Sequence, residues 1–259
     1  LTEIIGRQLY ITDFGKEIRK AAEKILSEVD NIGYRTLEYK NLLAGKLKVS
    51  VASTGKYVMP YFLSGFMRMN RGVDLIMDVT NKTYVIQSME NNEVDFSLVS
   101  IIPDAFKTYR EELLPNKLFL IGSSRIPIAA NQSKRRIFEE YPLIYREPGS
   151  ATRASMEEFI RSKNLSTYKK IELTSNEALK QAVLAGLGFS IMPLIGIKNE
   201  LRNGDLQIIP FKGLPIITQW NLIWLQSKEL TPVSRAFLDY IRQNKLRIAK
   251  EDFSWFDKY

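Results

Sequence analysis

Ser53, Thr54 and Lys56 sit where an alternating apolar run, Leu47 to Ala52, gives way to a helical pattern. Hydroxyls at a strand-to-helix junction make a seat for a small anion, because free backbone N–H groups and the positive end of the helix dipole converge there. Lys56, one turn further on, is either a cation that neutralises a phosphate or carboxylate or a lysine that faces solvent. Ser53-Thr54-Gly55-Lys56 also fits a Ser-x-x-Lys acylation motif formally, but the chain has neither the Ser-Asp-Asn nor the Lys-Thr-Gly element that completes it. As a phosphate-binding Walker loop the segment fails, since Ser50 stands in place of the first glycine and Tyr57 follows the lysine.

The chain has no histidine and no cysteine. That removes Ser-His-Asp and Cys-His nucleophiles, thiolate zinc sites and histidine metal cages. We therefore expect a binding protein rather than an enzyme, with no catalytic residue, no metal site and no cofactor. Nothing approaches the roughly 20 consecutive apolar residues that span a bilayer, and no basic stretch leads into an apolar signal core at the N-terminus. The expectation is a cytoplasmic protein with no membrane partner. Of 37 Lys/Arg and 29 Asp/Glu, residues 1–45 carry seven each, so the whole net charge of +8 lies beyond them. This diffuse excess favours anionic ligands without specifying one.

These residues need elements to position them. Residues 13 to about 43 read as one long helix capped by Thr12 or Asp13. Its apolar positions, Ile18, Ala22, Ile25, Val29, Ile32, Tyr39 and Leu43, approximate a 3.5-residue repeat when Thr36 is included. That repeat is the mark of a two-helix seam, or otherwise of an amphipathic helix packed on its own domain. After Gly45, strands near 47–52, 73–79, 95–100 and 117–122 alternate with helices near 55–70 and 82–92. A second series has strands near 142–146, 169–173, 188–192 and 206–211, with helices near 151–163, 175–186 and 194–203. A strand through Trp220 and Trp224 and a helix from Pro232 to about Lys245 follow, and the aromatic tail with Phe253, Trp255, Phe256 and Tyr259 is expected to dock on a lobe or on a neighbouring subunit.

Two βα series imply two α/β lobes with a cleft between them. Open α/β sheets bind ligands beyond the carboxyl ends of their strands. The cleft-lining loops are then Ser53 to Lys56, Thr80 to Lys82, Ser100 to Pro103, Pro148 to Thr152 and Thr174 to Asn176. Each is equally readable as an ordinary helix N-cap.

The order of motifs resembles a LysR-type transcriptional regulator. The resemblance rests on Leu9-Tyr10-Ile11-Thr12-Asp13-Phe14-Gly15, on the block from Gly45 to Leu98 that ends Asn92-Glu93-Val94-Asp95-Phe96, on Glu147-Pro148-Gly149-Ser150-Ala151-Thr152-Arg153, and on Ala185-Gly186-Leu187-Gly188-Phe189-Ser190-Ile191-Met192-Pro193. Ser53-Thr54-Gly55-Lys56-Tyr57 is most similar to the regulators of Calvin-cycle (RuBisCO) operons. The resemblance implies two Rossmann-like lobes of periplasmic-binding-protein type II architecture behind a long dimerisation helix. Residues 1–12 would be the remnant of a winged helix-turn-helix that is mostly missing, 13–44 the linker helix, 46–122 with 221–247 lobe I, 123–220 lobe II and 248–259 a tail.

It further implies a small anionic effector (a phosphorylated metabolite, nucleotide or carboxylate) held by Ser53, Thr54, Asn81, Ser100, Ser150 and Thr152. Lys56 is added on the charge argument above, and Arg146 and Arg153 are weaker candidates of the same kind. The implied partners are promoter DNA through the missing helix-turn-helix, with Arg7 reaching a phosphate, and further copies of the chain in a homodimer or tetramer. A solute-binding protein of a transport system shares the two-lobed plan and is the rival reading; it has no use for a seam-bearing helix ahead of the first lobe.

Overall fold

The computed structural model describes residues 1–38, 42–103, 105–128 and 133–259. It opens with a hairpin of β1 (Thr2–Ile5) and β2 (Gln8–Ile11). Gly6 and Arg7 at its tip have φ of 58° and 69°, the left-handed values that a tight two-residue hairpin turn requires. Helix α1 (Asp13–Glu38) follows, and the Thr12 hydroxyl accepts a hydrogen bond from the Gly15 N–H at 3.0 Å, which makes Thr12 the cap. A Cβ on Gly15 would lie 2.1 Å from the Leu1 carbonyl oxygen, so only glycine lets the hairpin close on the helix. Tyr39, the next seam position, lies outside the described residues.

Lobe I is built from β3 (Ala44–Ala52), α2 (Met59–Met69), β4 (Gly72–Thr80), α3 (Lys82–Glu90) and β5 (Phe96–Val99). Strand β3 runs parallel to both β4 and β5. Its alternation decides its orientation: Leu47, Val49 and Val51 are fully buried in a core with Phe62 and Phe66 of α2. The helix expected from residue 55 instead begins as a 3-10 turn, Ser53–Tyr57, and restarts as α2 at Met59. Pro60 explains the break: it is tolerated in a first turn, but inside a helix running on from residue 53 its ring would strike the carbonyl four residues back.

The chain then enters β6 (Thr108–Ser123), a strand of 16 residues where only 117–122 was expected. Lobe II follows, with α4 (Arg136–Glu140), β7 (Pro142–Arg146), α5 (Ala151–Ser162), β8 (Lys169–Leu173), α6 (Asn176–Leu184), β9 (Ser190–Pro193), α7 (Lys198–Asn203) and β10 (Leu206–Ile208). Strands β7 and β8 are parallel. The chain returns through β11 (Ile216–Leu225) to α8 (Pro232–Phe253), which packs back on lobe I through Phe237, 5.2 Å from Phe66 and 5.7 Å from Phe96 between ring centres.

Two antiparallel strands tie the lobes together. β6 pairs with β11 from Thr108 to Leu118, then with β9 from Leu118 to Ile121 and with β10 from Ile121 to Ser123. β11 pairs in addition with β5 through Asn221 to Ile223, and its register shifts by a bulge at Trp220/Asn221. A bulge twists and bends a strand locally. Here it falls where β11 passes from one lobe to the other.

Helix α8 runs eight residues beyond the expected Lys245, and a 3-10 turn, Ser254–Lys258, closes the chain. The aromatic end is docked: Phe253 and Phe256 are buried, and Phe253 meets Tyr61 edge-on at 5.1 Å and stacks on Phe62 at 6.1 Å. The Lys198 ammonium of α7 lies 5.0 Å over the Trp255 ring, so the tail touches both lobes. Among the described residues no helix is long and apolar enough to cross a membrane.

Candidate functional site

The turn after β3 is pinned from below. A Cβ on Gly55 would lie 2.6 Å from Val51 Cγ1, 2.9 Å from Leu98 Cδ2 and 3.3 Å from Trp220 Cζ3. With no Cβ, the turn settles onto strand residues of β3, β5 and β11 and holds Ser53 at the mouth between the lobes. Gly55→Ala is therefore expected to overpack this floor, at a cost of about 1–3 kcal/mol and a fall in Tm of about 5 °C. Thermal denaturation with an unchanged Tm would show that the turn is free to lift.

Ser53 is the point where the lobes meet. Its Oγ accepts a hydrogen bond from Arg146 Nη2 at 3.1 Å and another from Asn176 Nδ2 at 3.0 Å. Arg146 ends β7 and Asn176 begins α6, so both donors come from lobe II. The Arg146 side chain is only 2% exposed. Its Nε and Nη2 donate to Glu147 Oε2 and Oε1, each at 2.8 Å, and Nη1 is buried with no hydrogen-bond partner. A buried guanidinium N–H left unpaired is costly.

The other candidates fall into groups. Asn81 caps α3 by accepting from the Tyr84 N–H at 3.2 Å, and Ser150 caps α5 by accepting from the Arg153 N–H at 3.4 Å. These two do the ordinary work of caps, and the turns that carry them meet: a Cβ on Gly149 would lie 2.6 Å from Thr83 Oγ1 and 4.0 Å from Asn81 Oδ1. Thr54 is buried beside Ser53. Thr152 is half-buried in the first turn of α5, and Ser100 is half-buried just past β5. Ser53 is thus bonded across the lobes, and the turn before Ser150 packs against the start of α3.

Lys56 stands 5.1 Å over the Tyr57 ring and forms no hydrogen bond with Ser53. Tyr57 reaches across the cleft, its hydroxyl 3.5 Å from Glu177 Oε2. Burial pushes the Tyr57 phenol up, with Glu177 adding to the shift and Lys180 opposing it. The Gln181 amide, together with Lys180 and Lys56, holds the Glu177 carboxyl below the usual range despite its partial burial. Arg153 pairs with Glu157 and Glu172 and donates to the Arg146 carbonyl at 3.0 Å, which makes it a brace. Arg7 is exposed at the hairpin tip, away from the cleft.

Asn176 lies in the expected cleft-lining loop Thr174 to Asn176 without being an expected contact, Glu147 falls outside the expected set, and Arg146 is more central than expected from the sequence. The available signal was positional: Arg146-Glu147 ends a strand of a parallel pair, and Asn176 starts the helix after another.

A profile of the LysR substrate binding domain matches residues 40–245. The chain belongs to the LysR family of transcriptional regulators. It is 33% identical over 243 residues to the HTH-type transcriptional activator CmpR of Synechocystis sp., covering 93% of this chain and 80% of that protein. It is 32% identical over 254 residues to the RuBisCO operon transcriptional regulator of Allochromatium vinosum, covering 96% and 82%. Among solved structures it is similar to the regulatory domain of Synechocystis PCC6803 CcmR in complex with 2-PG, with a TM-score of 0.72 and 29% identity over 78% of this chain and 97% of that one. The resemblance to RuBisCO operon regulators and the two-lobed α/β architecture are therefore those of the LysR family. The relatives named are regulators of transcription and not transport proteins.

Proposed function

We propose that this LysR-type chain is the sensing and linking part of the regulator, whose lobes close on a small anionic metabolite, with phosphorylated compounds ahead of nucleotides and carboxylates. The observation that carries this reading is Arg146: buried in the cleft, bonded to Ser53 of the opposite lobe, and with Nη1 unpaired. A phosphate or carboxylate oxygen accepting from that nitrogen would gain a charge-assisted bond in a site sheltered from water. The 2-PG named for the CcmR regulatory domain supports an effector of this class. Ser53, Thr54, Lys56, Asn81, Ser100, Ser150 and Thr152 are proposed to line the site together with Arg146 and Asn176.

Only an effector that binds the closed arrangement better than the open one shifts the equilibrium. Contacts from both lobes supply that difference, and α1 would relay it to a DNA-binding head. In this reading the protein is a cytoplasmic homodimer joined through α1, assembling further to a tetramer. It binds promoter DNA through the helix-turn-helix, with Arg7 on a phosphate, and it catalyses nothing. A thermal-shift screen of 2-PG, nucleotides and small carboxylates tests it. An effector at about 100 times its Kd adds about 2.7 kcal/mol of stability, and Ser53→Ala is expected to reduce that gain by removing an acceptor that orients Arg146. A screen in which no anion raises Tm would overturn the reading.

A further inference from the structure

We propose that Glu147 is a resident stand-in for the effector's anion, a carboxylate built into the chain that competes with the effector for Arg146. The inference rests on the reading of Arg146 as the anion's anchor. Glu147 grips the guanidinium through two parallel N–H···O bonds, Nε to Oε2 and Nη2 to Oε1, each 2.8 Å. This is the two-pronged geometry in which arginine recognises a carboxylate or phosphate. The fork that would best hold an effector anion is therefore already occupied, and only Nη1 is left over.

The position of Glu147 fits a displaceable group. Its side chain is 14% exposed against 2% for Arg146, so the carboxylate lies on the water side of the pair. It leads into a turn closed by its own backbone: Gly149 has φ +84°, and the Glu147 carbonyl accepts from the Ser150 N–H at 3.2 Å. Arg146 is held in place independently of Glu147, by Ser53 at Nη2 and by Arg153 at its backbone carbonyl. Glu147 can thus swing out while the guanidinium stays.

An intramolecular competitor acts at high effective concentration. It lowers the affinity of every anion that must displace it by the same factor. A monocarboxylate that replaces Glu147 exchanges one carboxylate for another and gains little. A phosphate dianion brings more charge to Arg146 and so displaces Glu147 at a lower concentration than a simple acid does.

The test uses the whole chain, with inorganic phosphate and acetate as probes, titrated by calorimetry and by thermal shift. Glu147→Gln keeps the size and one acceptor but removes the charge. The expected result is about tenfold tighter phosphate binding, with acetate binding improved by a similar factor. Phosphate affinity that is unchanged or weaker in a folded Glu147→Gln protein overturns the proposal and makes Glu147 a positioning residue for Arg146. If that variant does not fold, Glu147→Asp, too short to span both prongs, is expected to bind phosphate about threefold more tightly, and no gain there has the same meaning. Arg146→Met keeps the two ideas apart: unaltered phosphate binding in that variant removes the anchor reading itself, and binding to neither wild type nor Glu147→Gln removes both.

Discussion

Arg146→Met is expected to lose phosphate binding by about 100-fold, since a hydrogen bond to a charged group is worth about 1.5–3 kcal/mol and the guanidinium offers the anion more than one N–H. The same substitution strips Glu147 of the partner that holds both of its oxygens. Removing one member of a buried pair costs about 3–5 kcal/mol, because the remaining charge stays out of water uncompensated. Arg146→Met is therefore expected to melt earlier as well as to bind worse, and a binding defect measured on it alone would be open to the objection of misfolding. Arg146→Met combined with Glu147→Gln answers that objection. It removes both charges at similar volume, which is often nearly neutral for stability, so Tm is expected to recover most of its loss while phosphate binding stays absent. Calorimetry and thermal denaturation on the single and double variants check both halves. Phosphate binding retained in the stable double variant would take Arg146 out of the site.

The parts of this structure that could be read from the sequence are those whose cause is local. The alternation of Leu47, Val49 and Val51 with Lys46, Lys48 and Ser50 gives β3, and the caps at Asn81 and Ser150 start α3 and α5 where the residue types predict. The parts that escaped have distant causes. β6 begins at Thr108, nine residues before the expected start, because Thr-Tyr-Arg-Glu-Glu has no apolar alternation of its own and becomes a strand only by pairing with β11. The proposed anion site escaped more completely. An arginine next to a helix start is usually at the surface, whereas Arg146 is buried with Ser53, 93 residues earlier, and Glu147 accepting its hydrogen bonds. Asn176 and Ser53 are 123 residues apart. No window of sequence contains that hydrogen bond, although the rule that open sheets bind ligands at the carboxyl ends of their strands does point to both loops.

Ile25→Asp with Val29→Asp is expected to reduce the assembly to single chains of 29.8 kDa. In one copy of the protein, Ile18, Ile25, Val29 and Ile32 follow one another along α1 at steps of seven, four and three, and they are 41%, 65%, 60% and 67% exposed. Phe14 and Leu26 are similarly open, at 63% and 65%. Burying such a side chain against a partner gains about 1.5–3 kcal/mol each, and a narrow stripe at this spacing is covered by a second helix carrying the same stripe. Two aspartates per chain would place four carboxylates in that seam. Each would lose hydration with no cation opposite, at a cost of several kcal/mol, enough to cancel the apolar gain. Sedimentation velocity or light scattering reads the outcome directly, with Lys20→Asp, on the opposite face of α1, expected to leave the mass unchanged. The proposed anion site lies on other elements, so the dissociated variant is expected still to bind phosphate. That combination separates sensing from its relay, whereas an intact oligomer in the double aspartate variant would mean that some other surface joins the subunits.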